Sequence, residues 1–169
     1  MTEASVDEEL VDELLAEAGS GIVRAAELEE EKLSRAERTV RRRVRLGQLN
    51  QDALVQYLRR GQVAEFIAGL AYLTEIDIDT ARRIVFSPGQ EAIAVACRAK
   101  GFDLSTFSTI ALLLDGDNGS GTAERQLRRP EEVADLLALY GRVPVETAQR
   151  AMRFWRVRKQ SKDGSAAAA

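Results

Sequence analysis

The chain has 169 residues, of which 45% are hydrophobic and only 5% aromatic. This composition suits one helical domain, because sheets favour aromatic and β-branched residues. Histidine is absent and there is a single cysteine, which excludes Ser-His-Asp and Cys-His catalysis, histidine-ligated zinc and an internal disulfide.

The net charge of −3 conceals a strong segregation along the chain. Residues 1–31 carry eleven acidic residues and one basic residue, whereas residues 32–60 carry nine basic and two acidic residues. Such asymmetry indicates either segments that neutralise each other or a binding surface. The acidic start is unlike a signal peptide and the apolar runs are too short to span a membrane, so we expect a cytoplasmic protein.

Residues 1–46 are predicted to form a charge-segregated helical arm. Ser5 and Glu8 form a capping box ahead of an apolar helical stripe. The run Gly19-Ser20-Gly21 is interpreted as the end of that first helix. A second helix, long and partly exposed, is predicted over about residues 22–46.

Residues 47–160 are more strongly patterned and are predicted to form a helical-repeat domain. Asn50 is the expected cap of the first helix, Asp77 or Asp79 of the third, and Asp103 or Ser105 of the fifth. Pro130 and Pro144 open the last two helices, the second ending near residue 159. Residues 161–169 are predicted to be a disordered tail.

A weak internal repeat sets the fold class. Residues 76–85 echo residues 143–152, and residues 102–107 are a looser copy: each has an apolar-polar-apolar entry followed by a helix. Repeats of this kind predict stacked helical hairpins. We therefore expect an all-α fold of stacked antiparallel hairpins, either a HEAT-like α-solenoid or an irregular helical bundle.

The packing motifs from residue 47 onward resemble the DUF2336 family of helical bacterial proteins. The resemblance rests on Leu54-x-x-x-Leu58-x-x-Gly61, Phe66-x-x-x-Leu70-Ala71, Ala96-Cys97-Arg98-Ala99-x-Gly101 and the closing run of residues 153–158. It covers roughly residues 47–158. The family has no established activity or cofactor, so the resemblance implies a helical fold and assigns no site residue.

Two basic clusters are the candidate contact sites. One is the arginine run on the N-terminal arm, comprising Arg38, Arg41, Arg42, Arg43 and Arg45. It could bind nucleic-acid phosphates or anionic lipid, or pair with its own helix, since Glu37 stands four residues before Arg41. The other is Arg153, Phe154 and Arg156 on the last helix, where Trp155 belongs to the core stripe and a membrane-surface helix is the alternative.

Two further features favour structural interpretations. Residues 115–121 have Asp-x-Asp spacing, yet they depart from the EF-hand pattern at the position of Ser120, so a plain loop is expected rather than a calcium site. Cys97 lies among small apolar residues and is expected to be a buried thiol.

These observations favour a protein-interaction or scaffolding module that is not an enzyme and needs no cofactor. Its partner is an unidentified protein or a second copy in a homodimer. The alternative is a nucleic-acid-binding or regulatory protein that uses the arginines of residues 38–45 and 150–159. That alternative gains support if both clusters share one uncovered face, and it fails if the acidic helix at residues 6–18 covers them. A carboxylate-based enzyme is disfavoured.

Overall fold

A computed structural model describes residues 3–117 and 130–167, and these residues form eight α-helices and no strand. The all-α prediction is confirmed. The helices are α1 Glu3–Arg45, α2 Gln51–Arg59, α3 Val63–Thr74, α4 Ile78–Val85, α5 Glu91–Lys100, α6 Leu104–Asp117, α7 Pro130–Arg142 and α8 Val145–Ala167.

Local side-chain caps start three of the helices. The side chain of Asn50 accepts a hydrogen bond from the Ala53 amide, and that of Asp77 accepts one from the Thr80 amide, both at 2.9 Å. Asp103 accepts one from the Thr106 amide at 2.7 Å. Each cap satisfies an amide that the first turn leaves unpaired, and the structure selects Asp77 over Asp79 and Asp103 over Ser105.

The predicted break in the N-terminal arm is wrong, because α1 runs without interruption from Glu3 to Arg45. Glycine inside a helix lowers its stability by about 1 kcal/mol but does not end it. Ending it at glycine usually requires a left-handed backbone. Gly47 and Gly101 have φ values of +66° and +73°, whereas Gly19 and Gly21 remain helical.

The last third of α1 and helices α2 to α8 pack around one core. Consecutive helices from α2 to α7 contact each other, and α1 with α3, α2 with α6 and α5 with α8 also make contact. Contacts between helices so far apart in sequence are typical of an irregular bundle. The largest fully buried side chains include Tyr57, Phe66, Phe107, Tyr140 and Met152.

Tyr140 joins three parts of the core. Its hydroxyl donates a hydrogen bond to the Phe102 carbonyl, and its ring stacks on Phe107 with 4.6 Å between ring centroids. The Arg98 guanidinium lies 5.1 Å from the Tyr140 ring centroid, and its Nε donates to the Val143 carbonyl at 3.1 Å. The segments around α5, α6 and α7 are held together at this point.

The last helix and the candidate calcium segment both differ from the predictions. Helix α8 continues to Ala167, past residue 159 and into the segment predicted to be disordered. The Asp-x-Asp pair, Asp115 and Asp117, belongs to the last turn of α6 rather than to a loop; residues 118–121 of that candidate calcium segment lie outside the described residues.

No helix within the described ranges is both long enough and apolar enough to cross a membrane.

Candidate interaction surfaces

The free part of α1 is the first candidate surface. From Leu33 onward one face of α1 packs on α3, with Ala36 and Val40 fully buried. Every residue from 10 to 32 is exposed. Helix α1 therefore joins the bundle through its last third and projects from it along the rest.

An apolar stripe runs along this projecting part, on the same face that is buried further along. At 100° per residue, Val11, Leu14, Leu15, Ala18, Ile22, Ala25 and Ala26 share an azimuth with Leu33, Ala36, Val40 and Val44. We call the first seven residues the α1 stripe. Leu15 and Ile22 are 65% and 70% exposed, although aliphatic side chains of this size are usually buried.

The basic run is divided between two faces of α1. Arg38, Arg42 and Arg45 are spaced four and three residues apart, and all three are exposed on the face away from α3. The Nε of Arg38 donates to the Ser34 carbonyl at 3.3 Å. These three side chains form a basic ridge that the acidic part of α1 does not cover, because that part continues in line along the same helix.

Arg41 and Arg43 have partners within the chain. Arg41 lies 3.8 Å from the Glu37 carboxylate, as the helical spacing predicts. The guanidinium of Arg43 lies 4.9 Å from the ring centroid of Tyr57, so it is part of the junction between α1 and α2. These contacts remove Arg41 and Arg43 from the basic ridge.

The residues of the C-terminal cluster have separate surroundings. Arg156 donates from Nε to the Thr74 carbonyl at 2.9 Å, and its Nη1 lies 3.4 Å from the Glu75 carboxylate. It therefore supplies a positive charge at the C-terminal end of α3, where the helix dipole favours a cation. Arg153 and Phe154 point outward, and Trp155 is half-buried against the core.

Glu75 lies between the two basic clusters. This residue and Arg41 line a groove of about 720 Å³ between α1 and the end of α3, together with Tyr72, Asp77 and Lys100 among others. Arg156 binds Glu75 from α8. Because the groove mixes acidic and basic side chains, it does not join the two clusters into the single basic face that would favour the nucleic-acid interpretation.

The part of the chain that the structure describes contains no group of three or more carboxylate or cysteine side chains placed to hold a metal ion. Cys97 is fully buried in α5, as expected, and burial raises the pKa of its thiol. A thiol in this environment stays protonated and is a poor nucleophile.

The sequence analysis proposed the arginines and Phe154 as contact residues, a prediction that stays open, and it missed the α1 stripe as a surface. Its signal is visible in the spacing, since Val11, Leu15 and Ile22 are in phase with Val40. The interpretation of Gly19 to Gly21 as a helix end separated the stripe from the buried face that it continues.

Comparison with known proteins shows the family. The DUF2336 family, described as an uncharacterised protein conserved in bacteria, matches residues 1–153, and the chain belongs to it. The match includes the N-terminal arm, which the sequence resemblance placed largely outside, and it ends before Phe154. No curated protein and no solved structure matches the chain.

Proposed function

We propose that this chain is a non-catalytic protein-interaction module that binds its partner through the α1 stripe. The observation that carries the proposal is the exposure of a continuous apolar face on a helix that projects from the bundle. Monomeric proteins rarely expose contiguous apolar patches beyond a few hundred Å². An amphipathic helix with such a face is a common recognition element.

The low intrinsic stability of the exposed part of α1 supports the same function. Residues 10–32 are exposed throughout, and Gly19 and Gly21 each reduce helical stability by about 1 kcal/mol relative to alanine. Most helical stability in proteins comes from tertiary packing of an apolar face. A partner on the stripe would supply that packing.

Affinity capture from a lysate of the source bacterium tests the proposal, using three baits. Wild type and Val23→Glu should retain the same proteins, because Val23 is exposed but lies about 120° around the helix from the middle of the stripe. Leu15→Glu should lose them, because a buried carboxylate without a partner is strongly unfavourable. Identical protein profiles from all three baits would contradict the proposal.

Nucleic-acid binding is the second candidate, and the uncovered ridge of Arg38, Arg42 and Arg45 supports it. Binding of random duplex DNA should weaken steeply as salt is added, because each neutralised phosphate releases a counterion. Exchange of the three arginines for glutamine should abolish the binding. An absence of binding by wild type at low salt would eliminate this candidate.

A further inference from the structure

We infer that the partner of the α1 stripe is a second copy of this chain, and that the two α1 helices pair in antiparallel fashion about a two-fold axis near residue 20. This inference rests on the proposed function, since it identifies the occupant of the same surface. Three observations support it: the extent of the stripe, the sizes of its side chains and the distribution of charge along α1.

The extent of the stripe suits a dimer interface. Val11, Leu14, Leu15 and Ile22 are each more than half exposed, and three alanines lie between and beside them. Together they form one contiguous apolar patch on each copy, as a stable interface needs when it buries ~800 Å² per partner. A two-fold pair buries the same surface on both copies.

The order of large and small side chains selects the antiparallel direction. With the axis near residue 20, Leu14 and Leu15 of one copy lie opposite Ala26 and Ala25 of the other. Ile22 lies opposite Ala18 in the same way. A parallel pair in register would set leucine against leucine and alanine against alanine, which leaves gaps where the small residues meet.

Charge selects the same direction. A parallel pair would place residues 1–31, with eleven acidic residues and one basic residue, alongside an identical segment. An antiparallel pair leaves residues 9–31 facing their own copy, but it brings Glu3, Asp7 and Glu8 to the level of residues 32–39, which carry three basic residues and one acidic residue. Burial of the stripe then drives association, and charge at the two ends favours the antiparallel direction.

The bundle provides a place for the end of the second helix. A groove of about 540 Å³ opens where α1 meets α3 and the end of α4. Its lining combines the apolar Leu33, Val63, Ala64, Ile67 and Phe86 with charged side chains that include Glu29, Lys32 and Arg82. Phe86 is 55% exposed there. In the antiparallel pair, Leu10 of the second copy lies at the level of residue 30, next to this groove.

Light scattering coupled to size exclusion tests the dimer on the full chain. Wild type and Val23→Glu should both have twice the chain mass of 18.6 kDa. Leu15→Glu should be monomeric, with the dimer weakened by roughly 100-fold or more. The bundle should stay folded in this variant because residue 15 is exposed, and circular dichroism checks that it does. A monomeric wild type, or a Leu15→Glu variant that stays dimeric, would overturn the inference.

Cysteine cross-linking tests the direction of pairing. Leu14→Cys mixed with Ala26→Cys should form a disulfide-linked heterodimer on oxidation, whereas Leu14→Cys alone should cross-link poorly. The native Cys97 does not interfere because it is fully buried. If Leu14→Cys cross-links efficiently to itself and the mixture yields no heterodimer, the pairing is parallel and the antiparallel arrangement is overturned.

The capture experiment and the mass measurement separate the two proposals. A monomeric wild type whose captured proteins are still lost in Leu15→Glu would refute the second copy as the occupant and leave the interaction function standing. A monomer whose captured proteins do not change with Leu15→Glu would refute both.

Discussion

Tyr57 and Tyr140 are both buried, but their hydroxyl groups have different surroundings. Tyr140 donates to the Phe102 carbonyl, whereas the Tyr57 hydroxyl has no hydrogen-bond partner among the described residues. Burial raises the pKa of both phenols, so both are neutral at ordinary pH. A buried hydroxyl without a partner has lost its hydrogen bonds to water and forms none in the folded protein, which lowers stability.

Replacement by phenylalanine should therefore affect the free energy of unfolding differently at the two tyrosines. Tyr57→Phe should leave the free energy of unfolding unchanged or raise it by up to about 1 kcal/mol, while Tyr140→Phe should lower it by about 1–2 kcal/mol. The second variant leaves the Phe102 carbonyl unpaired. Urea denaturation followed by circular dichroism measures both values, and equal losses in the two variants would contradict the assignment.

Asp103 is the titrating cap of α6. The hydrogen bond from the Thr106 amide lowers the pKa of its carboxyl group, and the Gln51 side chain adds a second at 2.9 Å. Because the folded-state pKa lies below the unfolded one, Asp103 contributes stability above its ordinary pKa near 4, and this contribution is lost as pH falls through the folded value.

Asp103→Asn should therefore flatten the acid side of the stability profile. Asparagine caps a helix about as well as aspartate but does not titrate in this range. Urea midpoints measured between neutral pH and pH values below about 4 should fall less in the variant than in wild type. Parallel profiles for the two proteins would show that Asp103 contributes nothing to the acid dependence.

At the scale of elements, α8 is attached to α3 by one arginine. Arg156 binds the Thr74 carbonyl and the Glu75 carboxylate, although it follows Thr74 by 82 residues in the sequence. Thr74 is buried, so its carbonyl sits at a helix end where water has little access. The hydrogen bond from a charged guanidinium satisfies that carbonyl and fixes the start of the C-terminal half of α8.

Arg156→Ala should lower the free energy of unfolding by about 1–3 kcal/mol, the usual range for a hydrogen bond to a charged group. Arg153→Ala is the matched control, because Arg153 is exposed on the same helix and should change stability by less than about 0.5 kcal/mol. Thermal or urea unfolding of the two variants makes the comparison. Similar losses in both would show that α8 is held by its apolar stripe alone.

The whole molecule combines a packed bundle with a projecting helix. The core residues extend from Ala36 to Met152, whereas every residue from 10 to 32 is exposed. Free energies of local opening follow buried contact, so the two parts should differ widely in stability.

Amide hydrogen exchange should reveal this difference. Amides of residues 10–28 should exchange much faster than those of α3 and α6 in dilute protein, because opening them disrupts no tertiary contact. Their protection should increase with protein concentration as α1 gains a partner. Uniform protection along the chain in dilute protein would contradict a free N-terminal helix.

The sequence by itself determined the all-α fold and most helix starts, because these depend on interactions within a few residues. Asn50, Asp77 and Asp103 cap amides three positions away, and Pro130 begins α7. The sequence also indicates which arginines form the basic ridge, since helical spacing fixes which side chains share a face.

Only the tertiary structure decided which surfaces are free. The partners of Arg156 and Tyr140 lie 82 and 38 residues away, distances at which no local pattern predicts contact. The α1 stripe and the face buried from Leu33 onward share one azimuth, interrupted by Glu29, but the bundle covers only the part from Leu33 onward. Spacing defines a face, whereas packing against α3 determines where that face is buried and where it stays exposed.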